Sequence, residues 1–253
     1  MMEIKLANQR ELNLHYSFDN FVVGSGNIQA HATAWAVAEN PGKRNNLLII
    51  CGDVGLGASH LLHAIGNESL KRNPHAKVCY CTAPMFADNM YAAIRLEKME
   101  EFHSFYSSLD LLLFDIVQFI AAKEAVQEEL LLIIKELANA GKQVVLAMNK
   151  PPHELPGLER LRPHFSQGLQ VTITSPDVAS RLALVRHFAD RHKVIISYDI
   201  VQFLATGIDT QSIRELEGYI VRLGAYASLQ NIHITLDMAR KCLNDLVQLV
   251  DAG

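Results

Sequence analysis

Several features that would announce a function are missing from this chain of 253 residues. No apolar run reaches 18 residues, and the start, Met1-Met-Glu-Ile-Lys-Leu, has no apolar leader core. Neither a membrane span nor a signal peptide is therefore expected. Positive charge is not in excess: 23 Lys and Arg face 27 Asp and Glu, a net charge of −4 and a pI near 6.2. A strong non-specific grip on duplex DNA needs many Lys and Arg contacts to phosphate, so duplex reading is not expected. Cysteine is scarce. Cys51, Cys79, Cys81 and Cys242 match no zinc spacing and read as buried free thiols in a reducing compartment, which points to the cytoplasm. There are no repeats and no low-complexity tracts. What remains is 49% hydrophobic and 20% charged, enough to build the core of one large domain or two small ones.

Residues 1–18 are polar and aperiodic and read as a linker or arm. A short apolar patch, Phe18, Phe21, Val22 and Val23, precedes the turn cluster Gly24-Ser25-Gly26-Asn27. An Ala-rich helix is expected from Asn27 to Glu39, with Asn27 as its N-cap. Leu47 to Cys51 is a continuous apolar run, the mark of a parallel strand covered on both faces. After a glycine-rich loop the spacing predicts a helix over 59–70, a strand over 77–81 and a helical stretch over 84–107 opened by Pro84. Leu111 to Phe114 is a third strand, ending at Asp115. Val126, Leu130, Ile133, Ile134 and Leu137 mark an amphipathic helix closed by Gly141. Strands over 143–148, ending at Asn149, and 169–173 complete an alternation that predicts an α/β domain with a mainly parallel sheet. After Ser175-Pro176 only helices are expected, near 177–191, 198–206, 211–228 and 235–249. The first of them should bury Leu182, Val185, Phe188 and Ala189.

The loop at Cys51 to His60 reads C-G-D-V-G-L-G-A-S-H. Gly52 and Gly57 stand where a phosphate-binding loop needs them, Gly55 is a spare glycine, and Ser59 can offer a hydroxyl to Mg²⁺. The lysine that should reach the β- and γ-phosphates is replaced by Ala58. Ligands of parallel α/β sheets sit at the carboxyl ends of the strands, and the first, third and fourth strands end at this loop, Asp115 and Asn149. That register suits a P-loop NTPase, with Asp115 as the acid behind Mg²⁺ and Asn149 as the γ-phosphate sensor. The residue after Asp115 is Ile116, where a hydrolytic site would carry a carboxylate. The plain alternatives are a strand-to-helix turn that binds nothing and a loop or capping aspartate.

As a set, further stretches resemble the AAA+ domain of the bacterial replication initiator family, DnaA. They are Tyr16-Ser-Phe-Asp-Asn-Phe-Val-Val-Gly-Ser-Gly-Asn27, the glycine loop with Leu61-Leu-His-Ala-Ile-Gly66, Leu111-Leu-Leu-Phe-Asp-Ile-Val-Gln-Phe119, Arg160-Leu161 and Ile213-Arg-Glu-Leu-Glu-Gly218. The resemblance covers about residues 16–249. It implies an AAA+ P-loop NTPase-like fold, a five-stranded parallel sheet followed by a helical lid, with a linker over 1–18, an α/β base over 19–175 and a lid over 176–253. It places Phe21, Val23, Gly24 and Asn27 on the adenine side, and Gly52, Gly55, Gly57 and Ser59 around the phosphates. Asp115 and Ser59 fall at the metal, Asn149 at the sensor and Arg214 at the lid arginine. Arg214 is either that γ-phosphate contact or half of an ion pair with Glu215 or Glu217. His164 falls on the arginine-finger position, and Ala125 where the family has an arginine associated with single-stranded DNA.

Ala58, Ile116 and His164 each remove a different catalytic charge, which implies a module that does not hydrolyse ATP. The expected ligands are ATP or ADP with Mg²⁺, or no nucleotide at all. The expected partner is the initiator DnaA or another AAA+ protein, and the expected role is regulation of replication initiation by protein contact. A weak nucleotide switch, a single-stranded-DNA module and an excised domain of a longer initiator are the alternatives. Gln9-Arg-Glu-Leu12-Asn-Leu14 loosely fits a sliding-clamp motif, and equally the family's ordinary linker. The chain stops after the lid, so a DnaA-like regulator without a helix-turn-helix domain is expected.

Overall fold

The computed structural model describes residues 12–43, 46–208, 210 and 212–243. These form two compact units. Residues 12–21, 29–53 and 57–173 belong to the first. Residues 22–28 and 54–56 join those from 174 onward in the second.

The first unit alternates strands and helices: α1 (Ile28–Glu39), β1 (Leu47–Gly52), α2 (Ala58–Arg72), β2 (Val78–Thr82), α3 (Ala83–Arg95), α4 (Met99–Ser107), β3 (Leu111–Asp115), α5 (Glu124–Asn139), β4 (Gln143–Met148), α6 (Arg162–Phe165) and β5 (Leu169–Ile173). The strands form one five-stranded sheet in the order β2-β3-β4-β1-β5, and every pair is parallel. The inner strands β1, β3 and β4 are buried along nearly their whole length, which is why their sequences show no alternation. Edge strand β5 does alternate, burying Val171 and Ile173. On one side of the sheet Phe86, Phe102, Tyr106 and Phe114 interlock at ring separations of 4.9 to 5.4 Å. Truncating one such ring to alanine costs about 3–5 kcal/mol.

Two local outcomes depart from expectation. The stretch over 84–107 is two helices, because the chain turns at Glu97, whose φ is 57°. Lys98 N–H reaches Ala93 O and Glu97 N–H reaches Ile94 O, the paired closing bonds of a helix end that normally carries glycine. Without glycine the break left no mark in the sequence. Asn27 does not face its helix. Its Oδ1 accepts from Gly24 N at 2.8 Å and its Nδ2 donates to Val22 O at 3.0 Å, pinning the preceding loop. Gly141, by contrast, closes α5 with φ 67° and the expected bond from Lys142 N–H to Leu137 O.

Helices α4 and α5 are joined by His103. Its Nδ1 lies 2.7 Å from Glu129 Oε1 and its Nε2 2.8 Å from Glu136 Oε2, so the doubly protonated ring satisfies both carboxylates. Hydrogen bonding to Glu129 holds its pKa above the ordinary histidine value. For a raised pKa the stabilisation is complete below about pH 6.5, the unfolded value, and fades as pH rises through the folded one. His103→Gln should therefore lower the melting temperature more at pH 6 than at pH 8.5. Equal losses at the two pH values would contradict this ion bridge.

The second unit is helical: α7 (Val178–Arg191), α8 (Tyr198–Thr206), α9 (Ile213–Gln230) and α10 (Leu236–Cys242). The rest of the helix expected over 235–249 lies outside the described residues. Asp177, Ser212 and Thr235 cap α7, α9 and α10 by accepting from Ser180, Glu215 and Met238 N–H. The buried face of α7 is Leu184, Val185, Phe188 and Ala189, whereas Leu182 lies at its margin. Arg181 is also buried, at 9% exposure. Its guanidinium donates to the carbonyls of Ala205, Ile208 and Thr210, just beyond and within the end of α8. Among the described residues no helix is long and apolar enough to cross a membrane.

Candidate nucleotide site

In the first unit the site begins where β1 runs out. A Cβ on Gly52 would lie 3.0 Å from Ile173 Cβ on the neighbouring strand, so close approach favours glycine. Gly57 has φ 109° and ψ 11°, which only glycine adopts readily, and a Cβ there would meet the Phe21 ring at 3.0 Å. Helix α2 then opens without a side-chain cap. The first-turn N–H groups of Ala58 and Ser59 have no carbonyl one turn back, and the helix dipole adds positive character to them. Lys71 and Arg72 sit in the last turn, where the dipole favours cations. Such a helix start suits an anion, with the half-buried methyl of Ala58 where a lysine would supply charge.

Asp115 ends β3 and is 4% exposed. Its Oδ1 accepts from Ile116 N and its Oδ2 from the Tyr80 hydroxyl, both at 2.8 Å. Burial, and then the Asp115 charge, push the Tyr80 hydroxyl well above its ordinary pKa. His63 stacks on Tyr80 at 4.1 Å, and its Nδ1 accepts from Asn13 N at 3.2 Å. Burial holds His63 below the usual histidine range. Cys51 pairs in register with Met148, so Gly52 and Asn149 leave neighbouring strands at one level. The Asn149 side-chain oxygen is buried and makes no hydrogen bond. An orphaned buried acceptor at this strand end suits a ligand-facing sensor.

Ile116 has φ 61° and ψ 43° and is 38% exposed. A β-branched residue in the left-handed region is strained by about 1–2 kcal/mol, and such strain gathers at functional sites. Ile116→Gly should raise the urea midpoint, for a gain of up to about 1 kcal/mol after the entropy cost of glycine. A lowered midpoint would mean that the isoleucine side chain outweighs its backbone strain.

His164 lies half-buried in α6. Arg160 is paired with Glu124 and Glu128, and Arg162 donates to the carbonyls of Pro152 and Leu155. Lys123 lies 5.0 Å over the exposed Phe119 ring, and Ala125 is the second residue of α5. Buried Gln127 donates to the carbonyls of Ile120, Ala121 and Gly157 and ties together the two loops around this end.

The remaining expected residues belong to the second unit. Val23 is 44% exposed. A Cβ on Gly24 would press on the Ser180 side chain. Gly55 has φ 88°, and its carbonyl accepts from Ile213 N at 3.1 Å. Arg214 is exposed in the first turn of α9 and makes no ion pair among the described residues. Glu215 instead accepts from Thr210 and Tyr219, and Glu217 pairs with Arg191 and His192. The ion-pair reading of Arg214 is thereby corrected. A cation at a helix N-terminus is opposed by the dipole.

Residues 12–172 match the family model described as the bacterial DnaA ATPase domain. The chain belongs to that family. It is 44% identical over 237 residues to the chromosomal replication initiator DnaA of Geotalea uraniireducens, covering 93% of this chain and 53% of that protein. It is 42% identical over its full 253 residues to DnaA of Synechocystis, covering 56% of that protein. The chain thus spans about half the length of the curated relatives it matches. Domain III of Thermotoga maritima DnaA superposes with a TM-score of 0.89 at 35% identity, covering 94% of this chain and 99% of that one. AMPPCP-bound Aquifex aeolicus DnaA superposes with a TM-score of 0.79 at 34% identity, covering 88% of this chain and 68% of that one. Thermotoga maritima RuvB, at 18% identity and a TM-score of 0.66, shares the fold alone. The α/β AAA+ assignment therefore stands.

Within this DnaA-family chain the donor set fits a nucleotide in shape but not in charge. Gly57 and the first-turn amides of Ala58 and Ser59 would make the cradle, and Ser59 and Asp115 would supply the hard oxygen atoms that Mg²⁺ prefers. Among the described residues no cluster of three or more His, Cys, Asp or Glu could hold a metal by itself. A magnesium ion here would come with phosphate oxygens, which is its usual mode at nucleotide sites.

Proposed function

We propose that this DnaA-family module binds ATP or ADP weakly, with Mg²⁺, and does not turn ATP over. The observation that carries the reading is Ala58 at the head of an otherwise intact phosphate cradle. Ile116 in place of an acid and His164 in place of a finger arginine support it. A finger arginine alone contributes about 10³–10⁵ in rate. Gly52, Gly57, Ser59, Asp115 and Asn149 would hold phosphates and metal. Val23, Gly24, Asn27, Gly55 and Arg214 carry over from the family as nucleotide contacts.

A phosphate loop that no longer drives chemistry can still shape a surface. The role proposed for it is regulation of replication initiation in the cytoplasm, by contact with a DnaA initiator or another AAA+ protein. The clamp motif is not part of this reading. Gln9 to Glu11 lie outside the described residues, and Leu12 is buried in the space Gly66 leaves on α2. Sedimentation of this chain mixed with the DnaA of the same cell tests the partner: a joint boundary is expected, and independent sedimentation at ten micromolar would contradict it.

A further inference from the structure

The carboxylate of Asp115 is held by two donors, and only one of them belongs to its own strand end. Ile116 N–H takes Oδ1, and the Tyr80 hydroxyl, from β2, takes Oδ2. A carboxylate about its last torsion has a broad, soft minimum, so an unheld aspartate samples many planes. One donor on each oxygen fixes the plane and leaves one lone pair on each for another partner. The Tyr80 ring is itself held. His63 stacks on it with centroids 4.1 Å apart, and the backbone N–H of Asn13 fixes the His63 tautomer by donating to Nδ1. Asn67 Nδ2 donates to the carbonyls of Asn13 and Tyr16 and straps that segment onto α2. The line from Asn13 through His63 and Tyr80 to Asp115 is continuous within the first unit.

We propose that Tyr80 is a positioning residue, which aims the Asp115 carboxylate at the divalent cation of a bound nucleotide. The inference rests on the nucleotide-binding reading above. Tyr80 does not touch phosphate. It acts only through Asp115, and its hydroxyl does so by orientation. Phenylalanine at this position keeps the ring on His63 and removes only that hydroxyl, so Tyr80→Phe isolates the effect.

The test compares Tyr80→Phe with the unaltered protein in crystal structures and in calorimetric titrations with ADP, with and without Mg²⁺. The Asp115 carboxylate is expected to turn out of its plane in the variant. The tightening of ADP binding by Mg²⁺ should shrink about fivefold, the worth of one hydrogen bond, while metal-free affinity stays within about twofold. A merely structural tyrosine would weaken both titrations alike, and that result would overturn the proposal, as would an equal Mg²⁺ effect in the two proteins. If the unaltered protein binds no ADP, the nucleotide reading fails, and the crystal structures decide on Tyr80 alone: an unmoved Asp115 overturns its role.

Discussion

Ala58→Lys should tighten ADP binding about tenfold to a hundredfold, because a lysine on phosphate is a charge-assisted hydrogen bond worth about 1.5–3 kcal/mol. The expectation follows from what is kept around position 58. The turn at Gly57 is in its left-handed conformation, and α2 begins at Ala58 without a side-chain cap. Only the cation is missing, so returning it should need no rearrangement. Calorimetry with ADP and Mg²⁺ checks this. No change in affinity would mean that the loop has lost the phosphate-binding shape as well as the charge. The same variant should remain slow in hydrolysis, because Ile116 and His164 are untouched.

Arg181→Met should destabilise the second unit by about 3–5 kcal/mol. The guanidinium serves three carbonyls, those of Ala205, Ile208 and Thr210, and is itself buried. Methionine fills much of the volume but leaves those acceptors unpaired in an apolar setting, which is the expensive way to lose a hydrogen bond. Urea unfolding followed by circular dichroism should show the loss. A shift below 1 kcal/mol would mean that water reaches these carbonyls. Thr210 also links to Glu215 in the first turn of α9, next to Arg214, so the damage should extend to that helix start.

Much of the fold could be read from the chain because its signals were local. Continuous apolar runs marked β1, β3 and β4, and Gly141 marked the end of α5. The break at Glu97 was invisible because a charged residue took the left-handed position that glycine usually fills. The glycine loop, Asp115 and Asn149 could be placed at the ends of β1, β3 and β4 by spacing alone, since each closes or directly follows its strand. Tyr80 was missed, and His63 was read only as part of a matching stretch, not as its neighbour. Their meaning depends on which strands are neighbours, and the adjacency of β2 and β3 is not written in either segment. Arg181 was missed for a similar reason: on a helix face an arginine reads as solvated, and only the carbonyls ahead of it show why it is buried.

The central claim is that this DnaA-family module does not turn over ATP. Phosphate release from ATP and Mg²⁺, read by malachite green with and without DNA, tests it most directly, against a variant lacking the glycine loop. The account predicts that the two proteins release phosphate at the same background rate. Release by the unaltered chain clearly above the loop-deleted one would contradict it, and would show that a cation from elsewhere does the work of the lysine missing at Ala58.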